Sequence, residues 1–145
     1  ARLLAAPGRV LACCVAADPV RAAALAARGV EILPCPRASG QVDLQALMAE
    51  LARRETNEVH VEAGAVLGGA LWQAGLVDEL LVYVAPVLLG DGPGMAAFGP
   101  LEHLVQAKRL DFLACDRLGA DLRLRARTVA ADPRQWLPSR LRTTE

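Results

Sequence analysis

Apolar and polar positions follow two periods along the chain, and the switches between them mark the elements. Val10–Val15 (VLACCV) is an apolar run of strand length. Asp18-Pro19 then supplies a helix start, because the carboxylate can cap and proline is tolerated at the first helical position. The alanine-rich stretch Val20–Arg28 favours helix, and Gly29 is a natural stop. Val30–Leu33 predicts a second strand, followed by a loop through Pro34, Pro36, Ser39 and Gly40. Asp43 caps a second helix, Leu44–Arg53, whose Leu44, Leu47, Met48 and Leu51 recur at helical spacing and form one stripe to bury.

Beyond a polar turn, Glu58–Glu62 (EVHVE) alternates as a strand, and a third helix, Ala65–Ala74, ends at Gly75. Leu80–Leu89 is apolar almost throughout, the pattern of a central strand buried on both faces. Three β-then-α alternations predict an α/β sheet with right-handed crossovers. The rhythm then changes. Gly90–Gly99 (GDGPGMAAFG) is a glycine-rich loop. Two strands follow, Gln106–Arg117 and Asp121–Arg127, joined by Leu118-Gly119-Ala120. They read as an antiparallel hairpin with Leu122 and Leu124 alternating against Arg123 and Arg125. The tail, residues 129–145, carries Pro133 and Pro138 and no periodicity, and is expected to be a flexible extension.

Composition narrows the class. At 145 residues the chain is long enough for one domain with a sizeable core and too short for two ordinary ones. A hydrophobic fraction of 54% against 22% charged excludes a disordered polar chain. Formal net charge is zero and aromatics are 3%, so neither an attractive field nor stacking platforms argue for nucleic acid. No charge-free run reaches the ~18 residues of a membrane span. Cys13, Cys14 and Cys115 lie in apolar runs, and Cys35 lies in a loop. None forms a C-x-x-C pair, and only His60 and His103 could assist, so the cysteines read as small hydrophobes in a cytoplasmic, reducing setting, with no metal site expected. The chain opens on Ala1 and its first methionine is Met48, which reads as a processed sequence or a fragment.

The stretch with chemical content is Val59–Gly75 (VHVEAGAVLGGALWQAG). The expected strand delivers Glu62 to its carboxyl end, with Gly64 at the start of the next helix, where free N–H groups point at ligands in open α/β sheets. Glycine at such a turn allows unusual φ and lets a phosphate approach the backbone. Gly68 and Gly69 cost roughly 1 kcal/mol each relative to alanine inside a helix. They therefore serve close packing, against the sheet or against a nucleotide. This is not the G-x-G-x-x-G fingerprint. On spacing alone Glu62 is either an acceptor for a neighbouring structural group or a contact to an uncharged part of a substrate.

The run VEAGAVLGGALWQAGLVDELLVYVAPVLLG, Val61–Gly90, resembles the reductase half of the bifunctional riboflavin biosynthesis deaminase–reductase. The resemblance rests on the E-A-G turn, L-x-x-x-L in the helix, A-G-L-V-D-E-L, and A-P-x-L-L-G. A weaker likeness runs from Gly8 through Arg127, including GQVDLQALMAELARR and LGADLRLR. It implies a dihydrofolate-reductase-like α/β fold, a mostly parallel sheet flanked by helices with the C-terminal antiparallel hairpin. It implies NADPH-dependent reduction of 5-amino-6-(5-phosphoribosylamino)uracil to the ribitylamino compound, in a homodimer. Glu62 falls where that family contacts substrate, and Gly64, Ala65, Val66, Leu67, Gly68, Gly69 and Ala70 fall where its helix N-terminus wraps the cofactor. Asp78 and Glu79 match its D-E and are expected to be structural.

The family's opening K-x-A-x-S-x-D-G strand has no counterpart here, nor has the zinc deaminase signature of H-x-E and P-C-x-x-C. Residues 1–128 are therefore expected to be a partial reductase domain lacking its N-terminal strand and loops, with a deaminase domain upstream. The catalytic group is not identified. Two other readings stay open: a related reductase of another pteridine-type substrate, and an inactive dimerising fragment.

Overall fold

The computed structural model describes residues 7–36 and 39–129. The chain divides at Val61/Glu62 into two compact units. The first contains β1 (Val10–Cys14), α1 (Pro19–Ala26), β2 (Val30–Pro34) and α2 (Leu44–Arg53). β1 and β2 pair in parallel, Val10 against Val30 through Cys14 against Pro34, with α1 as the connection. Both helices start where the sequence predicts. The Asp18 carboxylate accepts from the Arg21 amide at 2.8 Å, with Pro19 beside it, and Asp43 accepts from Ala46 at 2.9 Å. The α2 stripe of Leu44, Leu47, Met48 and Leu51 is half-buried, and Val30 and Cys35 are buried. Glu31 on β2 is held by Arg54 and Arg9, each at 2.7 Å, and Arg54 also meets Glu50 at 2.7 Å.

The second unit holds α3 (Ala65–Gln73), β3 (Glu79–Val84), a 3-10 turn at Leu104–Gln106, β4 (Leu110–Leu118) and β5 (Asp121–Thr128). The sheet is antiparallel throughout, in the order β3-β5-β4, with a bulge between Phe112 and Ala114. The terminal hairpin forms as expected, turning at Gly119 with φ 65. Period-two alternation sorts its faces. Arg123, Arg125 and Arg127 stand opposite Tyr83, Leu81 and Glu79, while Leu122, Leu124 and Ala126 stand opposite Val84, Val82 and Leu80. Arg125 meets Glu79 at 2.9 Å and Arg123 meets Asp116 at 2.8 Å, so the polar face is laced by ion pairs. Glu79 thus takes the structural place expected at the strand start. Ala126, on the apolar face, is 2% exposed.

Four expectations about strands are corrected. The sheet is not mostly parallel: among the described residues one pairing is parallel and two are antiparallel. Glu58–Glu62 is not a strand but an exposed, irregular segment leading to α3. Leu80–Leu89 is not one long buried strand. Pro86 has no N–H to give a ladder, and Val87 instead turns back to the Ala85 carbonyl at 2.8 Å. β3 therefore ends at Val84, pairs with β5 alone, and leaves Leu88 and Leu89 100% and 90% exposed. The strand predicted from Gln106 begins at Leu110, after the 3-10 turn. Burial of the cysteines also differs from their setting in sequence: Cys35 in the loop is buried and Cys115 on β4 is exposed, all four being free. The tail expected to be flexible lies, from residue 130, outside the described residues. Among the described residues no helix is long and apolar enough to cross a membrane.

Helix ends expose a replaceable strain. α3 closes with Gly75 at φ 70, its N–H to Trp72 and that of Leu76 to Leu71. α2 closes by the same hydrogen bonds, Glu55 to Ala52 and Thr56 to Leu51, yet places a glutamate at φ 65. A left-handed non-glycine residue costs roughly 1–2 kcal/mol. Glu55→Gly should therefore raise the thermal midpoint by about 2–8 °C, measured by circular dichroism; a fall would show that the Glu55 side chain matters more than its backbone.

Arg54 first, then Arg9, hold the Glu31 carboxyl below the usual glutamate range by hydrogen bonding. Its folded pKa is the lower one, so its contribution is full above the ordinary range and drains as pH falls through the depressed value. The urea midpoint of Glu31→Gln should lie below wild type at neutral pH and converge with it in acid. A gap independent of pH would assign the effect to packing instead.

Candidate functional site

α3 is apolar around its whole circumference (AVLGGALWQ), a pattern that ordinarily marks a helix buried on all sides. Only Gly69, Leu71 and Trp72 are buried, however, and Val66 is 78% exposed. Its N-cap is Gly64, at φ −73 and ψ 171, with no side chain capping the first turn. No acidic residue stands in that turn. A Cβ at Gly64 would meet nothing within 4 Å. The first-turn amides therefore form the positive end of a helix dipole with no acidic residue in the turn and no capping side chain at Gly64, a geometry that suits an anion. α1 and α2 differ, since Asp18 and Asp43 occupy theirs. Of the two properties that glycine allows at this turn, the unusual φ is not used at Gly64, whose backbone is ordinary, and the space a Cβ would take is open.

The two internal glycines separate in the structure. A Cβ at Gly68 would reach no closer than 3.9 Å, to the Met95 carbonyl oxygen. At Gly69 it would fall 2.9 Å from the Ala97 nitrogen, with the Ala97 carbonyl nearer still. The Ala97 N–H donates to the Ala65 carbonyl at 2.8 Å, and the Phe98 ring stacks on Trp72 with centroids 6.3 Å apart and planes 7° off parallel. Close packing holds at Gly69 and not at Gly68, and it is against a loop rather than the sheet or nucleotide that the cost of the pair suggested. That loop, Gly90–Gly99, was not legible as the partner, because periodicity says nothing about where an irregular segment lies.

The residues singled out from sequence thus fall into distinct places. Glu62 is exposed two residues before the N-cap, and Gly64, Val66 and Leu67 are exposed around the first turn. Ala65 and Ala70 are half-buried, and Gly69 is covered. Two concavities lie elsewhere in this unit. One of about 440 Å³ opens beside Gln73, Phe98, Leu101 and Gln106, and one of about 160 Å³ beside Trp72, Gly75 and Thr128. Neither is lined by Glu62 or residues 64–70. Both are lined by Lys108, the single lysine of the chain and a residue the sequence reading passed over. The Gln106 amide oxygen accepts from the Glu102 and His103 amides at 2.8 and 3.1 Å and fixes the rim of the larger one.

The RibD C-terminal domain family matches residues 6–124. The riboflavin biosynthesis protein RibD of Escherichia coli (strain K12) is 45% identical over 94 residues, which cover 64% of this chain and 26% of that protein. The 5-amino-6-(5-phosphoribosylamino)uracil reductase of Buchnera aphidicola is 40% identical over 85 residues, covering 58% of this chain and 41% of that one. The chain spans less than half the length of either relative. Among solved structures, Acinetobacter baumannii RibD, form 1, superposes with a TM-score of 0.65 at 34% identity, over 74% of this chain and 29% of its own. The riboflavin biosynthesis reductase of Saccharomyces cerevisia shares the fold, with a TM-score of 0.61 at 22% identity over 88% and 60% of the two chains.

Proposed function

The chain belongs to the RibD C-terminal domain family, and from that premise we propose that it is the nucleotide-binding part of a reductase of riboflavin biosynthesis. The reaction is reduction of 5-amino-6-(5-phosphoribosylamino)uracil to the ribitylamino compound with NADPH. Support comes from the family match over residues 6–124 and from the name borne by the Buchnera relative. The observation that carries the reading is the open, uncapped N-terminus of α3 beside Glu62.

The residues present fit a dinucleotide at that corner. The amides of Ala65, Val66 and Leu67 face outward from a turn without a cap, and the missing side chain at Gly64 leaves room for a pyrophosphate against the backbone. When bound, NADPH supplies the hydride; the protein contributes orientation and electrostatics. Glu62 would repel phosphate, so its place is toward uncharged hydrogen-bond donors of the phosphoribosylaminopyrimidine, holding the sugar end in register for reduction.

One further observation favours assembly. Among the described residues β3 has a ladder partner on one side only, and Val87, Leu88 and Leu89 beyond it are exposed. An edge and an apolar run of this kind call for covering, which supports a homodimer and, in a full-length chain, an upstream deaminase domain. Four free thiols suit a cytoplasmic setting.

In the complete enzyme, Gly64→Asp should weaken NADPH binding by roughly tenfold, because a carboxylate would stand at the positive helix end. Calorimetric titration reads this directly, and unchanged affinity rejects the site. Glu62→Gln should raise KM for the pyrimidine several-fold while leaving NADPH affinity within about twofold. Equal losses on both would make Glu62 structural.

A further inference from the structure

Contacts between α3 and the segment Met95–Phe98 climb one face of the helix. The Met95 carbonyl lies over Gly68, the Ala97 amide donates to the Ala65 carbonyl, the Ala97 backbone fills the space a side chain at Gly69 would need, and Phe98 stacks on Trp72. Ala65, Gly68, Gly69 and Trp72 stand at i, i+3, i+4 and i+7, the spacing of a single stripe. Each contact fixes a different coordinate. The Ala97–Ala65 hydrogen bond sets the helix along its axis, the backbone against Gly69 sets its distance from the loop, and the ring pair sets its rotation at the far end.

We infer that Met95–Phe98 is a strap that positions the N-terminal amides of α3, and that Gly69 is its positioning residue rather than a cofactor contact. The inference rests on the reading above, in which those amides hold the cofactor's phosphates. Gly69 is buried under the chain's own backbone, so its role in binding is indirect. A methyl group there has to lift Ala97, and lifting Ala97 breaks the bond to Ala65, the first residue of the helix. The disturbance therefore arrives at the end of α3 where the phosphates would sit. Gly68 is the internal control, because a methyl there makes only ordinary contact. Backbone amides act on charge at hydrogen-bond range, so small displacements of a preorganised terminus are felt.

The test uses the complete enzyme with Trp72 kept as its one indole, every other tryptophan, Trp136 among them, being replaced by phenylalanine. Emission of Trp72 reports whether the strap is seated, circular dichroism reports the fold, and calorimetry with NADPH well below the melting point reports affinity. Gly69→Ala should shift Trp72 emission to the red and raise the NADPH dissociation constant by about tenfold, while Gly68→Ala stays within about twofold. A folded Gly69→Ala variant that binds NADPH as wild type does overturns the strap and leaves the cofactor reading standing. A wild-type chain that takes up no NADPH overturns that reading instead, and the inference with it. Should Gly69→Ala not fold, Phe98→Leu decides, since it removes the ring pair and keeps the Gly69–Ala97 contact. A red shift with about threefold weaker binding supports the strap, and unchanged affinity overturns it.

Discussion

Backbone can lie directly on a helix only where no Cβ stands between them, and α3 is organised around one such place. Gly69 lets the Ala97 peptide come within the space of a missing methyl, and that approach brings the Ala97 amide to the Ala65 carbonyl and the Phe98 ring to Trp72. Glycine inside a helix costs roughly 1 kcal/mol against alanine, and a hydrogen bond together with an aromatic pair offsets a loss of that size. The apolar composition of α3 has the same origin. A helix clasped along one stripe by a loop needs small and apolar residues there, while the rest of its surface is left to other neighbours. Exposed Val66 and Leu67 lie on that remaining surface.

What the sequence made legible was local chemistry. Asp18-Pro19 and Asp43 mark helix starts because a carboxylate one residue ahead of a helix has a specific donor to satisfy, and both do so in the structure. α2 has the bounds that its stripe and cap imply, and the hairpin is announced by Gly119 between two alternating runs. Pairing was not legible. EVHVE alternates as a strand would, yet alternation records only which side chains share a face, and the segment is irregular in the structure. Leu80–Leu89 is apolar enough for a central strand, and its single decisive residue is the one whose chemistry forbids it, Pro86. Glycine is ambiguous in a related way. A glycine letter does not say which of its properties is in use, and Gly64 uses its lack of a side chain while Gly75 uses positive φ.

Among the candidate site residues, the resemblance places 64–70 together where the family's helix N-terminus wraps the cofactor. The structure divides them by which side of the helix they occupy. Residues near the first turn are open, and those on the strap side are covered by the chain itself. Resemblance along a sequence transfers a position, whereas contact depends on direction around the helix axis, and a run of seven residues makes nearly two full turns.

The open end of α3 is best understood beside its two counterparts. Each of the other α-helices among the described residues carries an aspartate at its N-cap, accepting from its own first turn and placing negative charge on the dipole. Glycine at that position forgoes the side-chain bond, but its disadvantage relative to the best caps is only a few tenths of a kcal/mol. The chain thus leaves unfilled, at small cost to stability, a terminus that an aspartate would have closed to any anion. An aspartate would serve the isolated helix better, while glycine leaves the terminus open to something negative. The same terminus is the end that the strap fixes through Ala65, so the freedom given up in the cap is matched by constraint along the helix. A helix held firmly from the side and left bare at its positive tip has the form of a binding element, and that coincidence of rigidity with vacancy is the physical content of the functional reading.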